Sequence, residues 1–122
     1  MTGRRTAAGK SMDEDRIVRR VSAFFEIVVG GVVIVKSVSA KVSLGEYFFP
    51  LRDVRTEYLF PSFEEPVTDE IGDSQRVTAE VGGRVIERVG RYFYKPRARY
   101  VILKDNITFD PACVDAFYID GK

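Results

Sequence analysis

The stretch Tyr47-Phe48-Phe49-Pro50-Leu51-Arg52-Asp53-Val54-Arg55 decides the fold that this sequence predicts. Three consecutive aromatic residues favour a β-strand, because their rings pack well on a half-buried pleated surface. Pro50 then removes a backbone donor, so the strand is expected to end there and the chain to turn. A carboxylate and two guanidiniums follow at once. We call residues 47–55 the hub and predict that it forms one wall of a binding site.

Length and composition indicate one small, mainly β protein. A chain of 122 residues is long enough to bury a hydrophobic core. β-Branched residues, above all valine, and frequent glycines favour strands and tight turns over helices. The formal net charge of +1 gives no general attraction to nucleic acids or anionic membranes. We predict a flexible tail over residues 1–15 and a single β domain over residues 16–122.

The residue types that the sequence lacks exclude several classes of site. There is no histidine, which excludes a Ser-His-Asp triad and a histidine-ligated zinc. Cys113 is the only cysteine, so it forms no intramolecular disulfide, and its acidic neighbours do not favour a reactive thiolate. No apolar run reaches the roughly 18–20 residues that span a membrane. Met1 to Arg5 lacks the apolar segment of a signal peptide. We expect a cytoplasmic protein with no metal and no cofactor.

Two Gly-Gly pairs predict two β-hairpins, because the tightest hairpin turns need positive φ angles that glycine adopts easily. Gly30-Gly31 separates the apolar runs Phe24–Val29 and Val32–Val35, and Gly82-Gly83 lies between two similar runs. Each hairpin also precedes an aromatic segment that ends in proline. This similarity between the two halves of the chain indicates either two similar β layers packed together or two hairpins that share a turn type.

Shorter patterns predict the remaining elements. The capping-box pattern Ser11-Met12-Asp13-Glu14 favours a short helix over about Met12 to Val21, although the same residues could begin a strand. Alternation over Val38–Leu44 predicts a strand with valine, alanine and leucine on its buried face. Residues 62–75 predict a long acidic loop, whose spacing does not match a calcium-binding loop. Residues 100–109 predict a third hairpin.

The hub also carries a resemblance to a known family. The run Glu46-Tyr47-Phe48-Phe49-Pro50, followed by Asp53-Val54-Arg55, resembles the signature strand of the domain of unknown function 427 family, which is sometimes labelled nucleotidyltransferase-like. Tyr94-Lys95-Pro96 resembles a second family segment, and the similarity extends from about Val21 to Asp120. The resemblance implies a β-tent-like fold, in which two small antiparallel sheets, here built from the Gly-Gly hairpins, pack at an angle.

The middle of the chain departs from that family's pattern. Relatives carry a Cys-Pro-Tyr-Lys-Gly segment where this chain has its acidic loop, and a tryptophan that this chain lacks. The fold that the resemblance implies often holds zinc in relatives, but this sequence lacks the ligands for it. Any role of that cysteine and lysine in relatives is therefore not carried over to this chain.

The leading functional hypothesis is the binding of a small anionic ligand, or of a partner, against the hub. We predict a pocket walled by five residues: Tyr47, Phe49, Asp53, Arg55 and Tyr94. Arg55 would bind the anion, and Asp53 or Glu46 would orient it. The structural alternative pairs Asp53 with Arg55 on one face of a strand, where the pair would tie a loop to the sheet.

Two other functions remain open, and the sequence does not decide whether the protein is an enzyme. A nucleotidyltransferase-like enzyme acting on a nucleotide or phosphate compound would need carboxylates that hold Mg²⁺. A single-stranded nucleic-acid binder would use residues 91–100, where cations alternate with aromatic rings. The same alternation also arises when aromatic rings pack inward and cations point to solvent. A homodimer through exposed strand edges is a further alternative.

Overall fold

The structure is a computed structural model that describes residues 17–122, which form eleven β-strands and four short 3-10 segments. The strands are, in chain order, β1 (Arg19–Arg20), β2 (Phe25–Val29), β3 (Val32–Ser37), β4 (Lys41–Ser43), β5 (Glu46–Pro50), β6 (Leu59–Pro61), β7 (Val67–Thr68), β8 (Gly72–Val81), β9 (Arg84–Pro96), β10 (Asn106–Phe109) and β11 (Ala116–Ile119). The 3-10 segments are Leu51–Asp53, Thr56–Tyr58, Ala98–Leu103 and Pro111–Cys113. Within this part of the chain, no helix is long and apolar enough to cross a membrane.

The strands form two antiparallel sheets. The larger has eight strands in the order β1-β4-β5-β10-β9-β8-β6, with β7 also paired to β8, and the smaller has the order β11-β2-β3. The prediction of a mainly β fold with two antiparallel sheets is therefore confirmed. The β-tent name for this architecture and the division at residues 15 and 16 remain predictions, and the tail over residues 1–15 lies outside the described residues.

Both Gly-Gly hairpins are present, and their turns touch. Gly30-Gly31 joins β2 to β3 in the smaller sheet, while Gly82-Gly83 joins β8 to β9 in the larger one. A Cβ atom on Gly30, which has a φ of +60°, would lie 2.9 Å from the Cβ of Val81. The first turn therefore needs glycine both for its backbone angle and for its close approach to the second hairpin.

Adjacent hub residues serve two separate cores. Phe48 and Phe49 are both fully buried, and consecutive strand residues point to opposite faces of a sheet. Phe49 packs between the two sheets, 5.4 Å from the ring of Phe25 and 6.4 Å from that of Phe109. Phe48 packs in a smaller cluster on the other face, 5.4 Å from Phe93. The aromatic run thus anchors β5 on both of its faces.

The second half of the hub joins the two sheets. After Pro50 the chain forms the 3-10 segment Leu51–Asp53, and Val54 then makes an isolated bridge to Val35 of the smaller sheet. The backbone N–H of Arg55 donates to the carbonyl of Ile34 at 2.8 Å. The expected turn after the aromatic strand is confirmed, but Asp53 and Arg55 do not lie along a strand.

The predicted third hairpin is wrong. Residues 98–103 form two 3-10 turns that meet at a kink at Tyr100, and they bury Tyr100 and Leu103 while Val101 and Ile102 remain exposed. The two buried residues are three positions apart, so this apolar run does not show the alternation of period two that a strand requires. The strand β10 pairs instead with β9 and β5.

The strand predicted over residues 38–44 is shorter than expected, and its burial differs from the prediction. Lys41 and Ser43 are buried, whereas Val38 and Leu44 are 71% and 59% exposed. The orientation of β4 is set by its pairing with β5, where Lys41 lies opposite the buried Phe48. Of the four residues that alternation placed on the buried face, Ala40 is buried and Val42 is half-buried.

Two further predictions need correction. Residues 17–21 of the predicted N-terminal helix contain β1, which pairs with β4, and the rest of that helix lies outside the described residues. The acidic loop predicted over residues 62–75 contains β7 and the first residues of β8, which pair with each other. The predicted loop is therefore mostly a hairpin, because strand pairing gives hydrogen-bond partners to backbone groups that would lack them in a long loop.

Candidate functional site

A large cleft opens where the pairing of β5 with β10 ends. The two strands pair only at Pro50 with Asn106 and at Phe49 with Ile107, and beyond these residues they diverge. The opening has a volume of about 760 Å³. Its lining comes from both sheets: Gly45, Glu46, Tyr47, Val67, Asp69, Arg76, Arg88, Gly90, Arg91, Thr108, Phe109, Asp110, Pro111, Phe117 and Ile119.

One wall of this cleft is aromatic. The ring of Tyr47 lies 5.0 Å from that of Phe25 and 5.8 Å from that of Phe117, and Phe117 also contacts Phe49 at 6.2 Å. Tilted and edge-on pairs at such distances stabilise the rings beyond their area burial. The cluster therefore holds the rings of Tyr47 and Phe117 at the cleft in fixed orientations.

The opposite wall carries two arginines that converge on one carboxylate. Arg88 donates to both oxygens of Glu64, with nitrogen–oxygen distances of 2.7 and 3.2 Å. Arg76 lies 3.6 Å from the same carboxylate. This hydrogen bonding by Glu64 raises the pKa of Arg88 above its ordinary value. We call Arg76, Arg88 and Glu64 the arginine clamp.

A β-bulge directs Arg88 toward the clamp. The pairing of β8 with β9 shifts register between Val77 and Ala79, and Arg88 has a φ of 55° opposite this shift. A non-glycine residue adopts this left-handed conformation at a cost, and bulges redirect side chains next to binding sites. The bulge and the left-handed conformation of Arg88 therefore accompany the placement of its side chain beside Glu64.

Arg91 ties the edges of the cleft together. It donates to Asp69 at 2.7 Å and to Glu46 at 3.3 Å, and it lies 4.9 Å from the ring centre of Phe93. The other oxygen of Glu46 accepts a hydrogen bond from Thr108 at 3.4 Å. Glu46 and Thr108 belong to the diverging ends of β5 and β10, so these contacts replace the backbone pairing that is lost there.

The lone cysteine lies beside this region but is not activated. Cys113 follows Asp110 and Pro111, which line the cleft, and its sulfur lies 3.7 Å from the carboxylate of Asp110. Burial, followed by the negative charge of Asp110, raises the pKa of the Cys113 thiol. The thiolate is thereby disfavoured, which agrees with the expectation from its acidic sequence neighbours.

The structure distributes the five predicted site residues over different places. Tyr47 lines the large cleft, while Phe49 is fully buried in the core between the sheets. Asp53 and Arg55 line a second cleft, of about 510 Å³, beside the hub. Tyr94 lines a third, apolar depression together with Tyr92 and Ile107. None of these three clefts is lined by all five residues.

Asp53 and Arg55 do not pair with each other. Asp53 accepts a hydrogen bond from the hydroxyl of Ser37 at 2.7 Å, and so connects the 3-10 segment to the end of β3. Arg55 donates to Glu57 at 3.0 and 3.1 Å and lies 5.0 Å from the ring centre of Tyr58. The loop-to-sheet tie expected of Asp53 exists, but its partner is a serine.

The basic aromatic segment 91–100 is only partly open to solvent. Phe93 and Tyr100 are buried, and the hydroxyl of Tyr92 donates to Asp105 at 2.6 Å. Arg97 and Arg99 are exposed. Aromatic rings that pack inward while cations face solvent follow the general β pattern that the sequence allowed.

Four of the five acidic residues of segment 62–75, Glu64, Asp69, Glu70 and Asp73, bind arginines or hydroxyls of the protein itself. Asp69 binds Arg91, Asp73 accepts from the hydroxyl of Thr68 at 2.8 Å, and Glu70 accepts from Tyr100 at 3.2 Å. Within residues 17–122, no group of three or more potential metal-ligating side chains is placed to hold a metal ion.

Sequence reasoning missed most of the residues that line the large cleft. Arg76, Arg88 and Phe117 stand far from the hub in sequence, and only the packing of the two sheets brings them to Tyr47. The excess of acidic residues in segment 62–75 was the one sequence signal for these arginines, because carboxylates that lie within a fold usually pair with basic side chains. It did not specify which arginines these would be.

Comparison with known families supports the resemblance of the hub. The family NTP_transf_9, described as a domain of unknown function (DUF427), matches residues 17–120. A comparison with curated proteins finds no match. The family match spans both sheets, the large cleft and the hub. The chain therefore belongs to the DUF427 family.

Proposed function

We propose that this protein binds a small organic anion with an apolar or aromatic body in the cleft between β5 and β10. The arginine clamp carries this proposal, because Arg76 and Arg88 line that cleft and already converge on one carboxylate. Planar guanidinium groups recognise carboxylate and phosphate oxygens through paired hydrogen bonds. The family label, which includes no established function, is compatible with a binding protein.

The aromatic wall supplies the second half of the recognition. Tyr47, Phe109 and Phe117 face the cleft, and small-molecule sites usually combine such apolar walls with a few polar anchors. The volume of about 760 Å³ falls in the range of roughly 300–1,000 Å³ typical of ligand clefts. A ligand with one anionic group and one ring would therefore contact both walls at once.

Glu64 acts in this proposal as an internal competitor. Its side chain is partly exposed and occupies the position that a ligand carboxylate would take between the two guanidiniums. The exposed fraction of the Arg88 side chain is 64%, so its pairing with Glu64 is only weakly stabilising in water. An external anion that adds ring contacts can displace such a partner.

The proposal is tested by calorimetric titration of benzoate and indole-3-acetate into the full chain. We expect Glu64→Gln to bind the tighter of these probes several-fold more strongly than the parent, because the substitution removes the competing negative charge from a largely exposed ion pair. Arg88→Met and Arg76→Met should each weaken binding by a similar factor. Arg84→Met removes an exposed arginine of the same hairpin that does not line the cleft, and serves as the matched control.

Two outcomes would overturn the proposal. One is the absence of saturable binding of either probe to both the parent and Glu64→Gln. The other is equal binding by Arg88→Met and Arg84→Met.

ATP with and without Mg²⁺ is a further probe, because the family name suggests nucleotidyl transfer. Binding of ATP that requires Mg²⁺ and resists the clamp substitutions would favour that reaction instead. The cytoplasmic location remains part of the proposal.

A further inference from the structure

Three carboxylates line the cleft between β5 and β10, and Asp110 differs from the other two. Glu46 and Asp69 both accept hydrogen bonds from Arg91, at 3.3 and 2.7 Å. Within residues 17–122, no lysine or arginine nitrogen lies within 4.0 Å of the Asp110 carboxylate. Among the acids of the cleft lining, Asp110 is therefore the one that the described chain leaves without a basic partner.

The carboxylate of Asp110 is nevertheless held in place by its own loop. One oxygen accepts from the backbone N–H of Ala112 at 2.9 Å and so caps the 3-10 segment Pro111–Cys113. In the part of the chain that the structure describes, the hydrogen-bond partner of the other oxygen is the thiol of Cys113, at 3.7 Å. A thiol is a weak donor, and an ionised carboxylate has about four acceptor positions. The second oxygen of Asp110 therefore keeps the capacity to bind a cationic group of a ligand.

Asp110 and Arg88 belong to neighbouring segments of the chain at this cleft. The backbone N–H of Asp110 donates to the carbonyl of Val89 at 2.9 Å, and Val89 directly follows Arg88. Both side chains line the cleft, but Arg88 donates to Glu64 and is not paired with Asp110. A carboxylate and a guanidinium that lie in one cleft without pairing can each bind the opposite charge of a single ligand.

We propose that the ligand of this cleft is a zwitterion, namely an α-amino acid with an aromatic side chain. Its carboxylate takes the place of Glu64 on the arginine clamp, and its ammonium group donates to Asp110. Its ring packs against Tyr47 and Phe117, which line the same cleft. Both charged groups of an α-amino acid are attached to one carbon atom, which suits the neighbouring positions of Arg88 and Asp110. This inference rests on the proposed function, because it names the class of compound that the same cleft binds.

The balance of charges in the cleft favours a zwitterion over a simple anion. The lining contains three arginines and three carboxylates: Arg76, Arg88, Arg91, Glu46, Asp69 and Asp110. A ligand that carries only a negative charge is attracted by the arginine clamp but repelled by Asp110. An ammonium group on the ligand replaces that repulsion with attraction.

Two pairs of ligands, matched except for the ammonium group, test the inference on the parent chain. L-Phenylalanine is paired with 3-phenylpropionate, and L-tryptophan with indole-3-propionate. In calorimetric titrations of the full chain at neutral pH, we expect the amino acid of the tighter-binding pair to bind about fivefold more strongly than its analogue, the upper range for an ion pair open to water. Amino acids that bind no more strongly than their analogues would refute the zwitterion.

The substitution Asp110→Asn tests the same contact from the side of the protein. Asparagine keeps an oxygen that can cap Ala112 but removes the negative charge. We expect this variant to bind the amino acid about fivefold more weakly than the parent. It should bind the deaminated analogue more strongly, because a repelling charge has left the cleft. The same substitution therefore shifts the two affinities in opposite directions.

The matched control is Asp115→Asn. Asp115 also accepts a hydrogen bond from a backbone N–H, that of Gly31 at 2.8 Å, but it does not line the cleft. We expect this variant to bind the amino acid and its analogue as the parent does. Equal binding of the amino acid by Asp110→Asn and Asp115→Asn would contradict the contact with Asp110.

The failure of this inference is distinguishable from the failure of the proposed function. If an analogue binds and Arg88→Met weakens it, while Asp110→Asn leaves binding of the amino acid unaltered, the cleft binds anions but the zwitterion is refuted. If neither pair of ligands binds saturably to the parent, both proposals are refuted.

Discussion

Charged side chains are paired differently near the two ends of β5. At the Glu46 end, Arg91 binds two carboxylates, and Arg76 and Arg88 share a third. At the Pro50 end, Lys41 and Arg52 stand near a single acid that a serine already holds. Both ends belong to the same five-residue strand, and its aromatic middle is buried on both faces.

At the Glu46 end, charged groups pair with charged groups, whereas the buried amine of Lys41 donates to the neutral side chain of Asn106. Ion pairs at the Glu46 end replace the strand pairing that is lost where β5 and β10 diverge, so they are satisfied within the protein. At the Pro50 end, Arg52 lies 4.0 Å from Asp53, and the amine of Lys41 has a neutral amide as its hydrogen-bond partner. Taking a charged group out of water is costly unless a partner compensates for it, and the two ends of β5 supply that compensation in different ways.

The largest expected effect comes from the strand that both ends share. Phe49→Ala removes a fully buried ring from the core between the sheets, and we expect it to lower the free energy of unfolding by about 3–5 kcal/mol. Chemical denaturation followed by circular dichroism measures this loss. Phe63→Ala removes a fully exposed ring and should change stability by less than about 0.5 kcal/mol. Similar losses in the two variants would contradict the assignment of the core.

An intermediate effect is expected from the ion pairs of the Glu46 end. Arg91→Met leaves the carboxylates of Glu46 and Asp69 without their shared cation, and we expect a loss of about 2 kcal/mol, between the values for exposed and buried pairs. The additional substitution Glu46→Gln should restore part of that loss. If Arg91→Met proves as stable as the exposed-site control Arg84→Met, the contacts of Arg91 do not hold the diverging strands.

The smallest effect is expected near the Pro50 end, where Tyr92 donates to Asp105. This hydrogen bond raises the pKa of Tyr92 to about 12, from an ordinary value of 10.0. Tyr92→Phe should cost about 1 kcal/mol at neutral pH, because the bond is partly solvent-exposed. A raised pKa stabilises the fold below pH 10, and this contribution is lost as the pH rises through about 12.

The measurement is a comparison of unfolding free energies across that pH window, together with tyrosinate absorbance. The parent should be more stable than Tyr92→Phe up to about pH 10, and this difference in unfolding free energy should disappear as the pH rises through about 12. A tyrosine that titrates near pH 12 in the parent should be absent from the variant. Tyr118→Phe alters an exposed tyrosine and should leave both quantities unchanged. A pH-independent difference between parent and Tyr92→Phe would show that the hydrogen bond to Asp105 is not its cause.

The sequence predicted those parts of the fold that depend on local backbone chemistry. Gly30-Gly31 and Gly82-Gly83 marked both hairpins, because few other residues adopt the turn angles. Pro50 marked the end of β5. The apolar run at residues 100–103 misled the prediction, because its two buried residues, Tyr100 and Leu103, are three positions apart, which only the structure shows.

The site was less predictable than the fold. Tyr47, which lines the large cleft, was predicted as a site residue because it belongs to the hub. The position of Arg88 depends on a bulge and a left-handed backbone conformation that no local sequence pattern indicates. Lys41 was assigned to the exposed face of β4, because lysine usually faces solvent. Its burial follows from pairing with Phe48, which is a fact about two strands and not about one.

The sequence by itself determined that this chain is mainly β, that two glycine turns make its hairpins, and that residues 47–55 connect a strand to a turn. These properties follow from backbone angles and aromatic packing, which act over a few residues. Only the tertiary structure decided that β5 and β10 diverge, that Arg76 and Arg88 converge on Glu64, and that Lys41 is buried opposite Phe48. Those arrangements depend on register between strands distant in sequence, because a shift of one residue would turn every side chain to the opposite face.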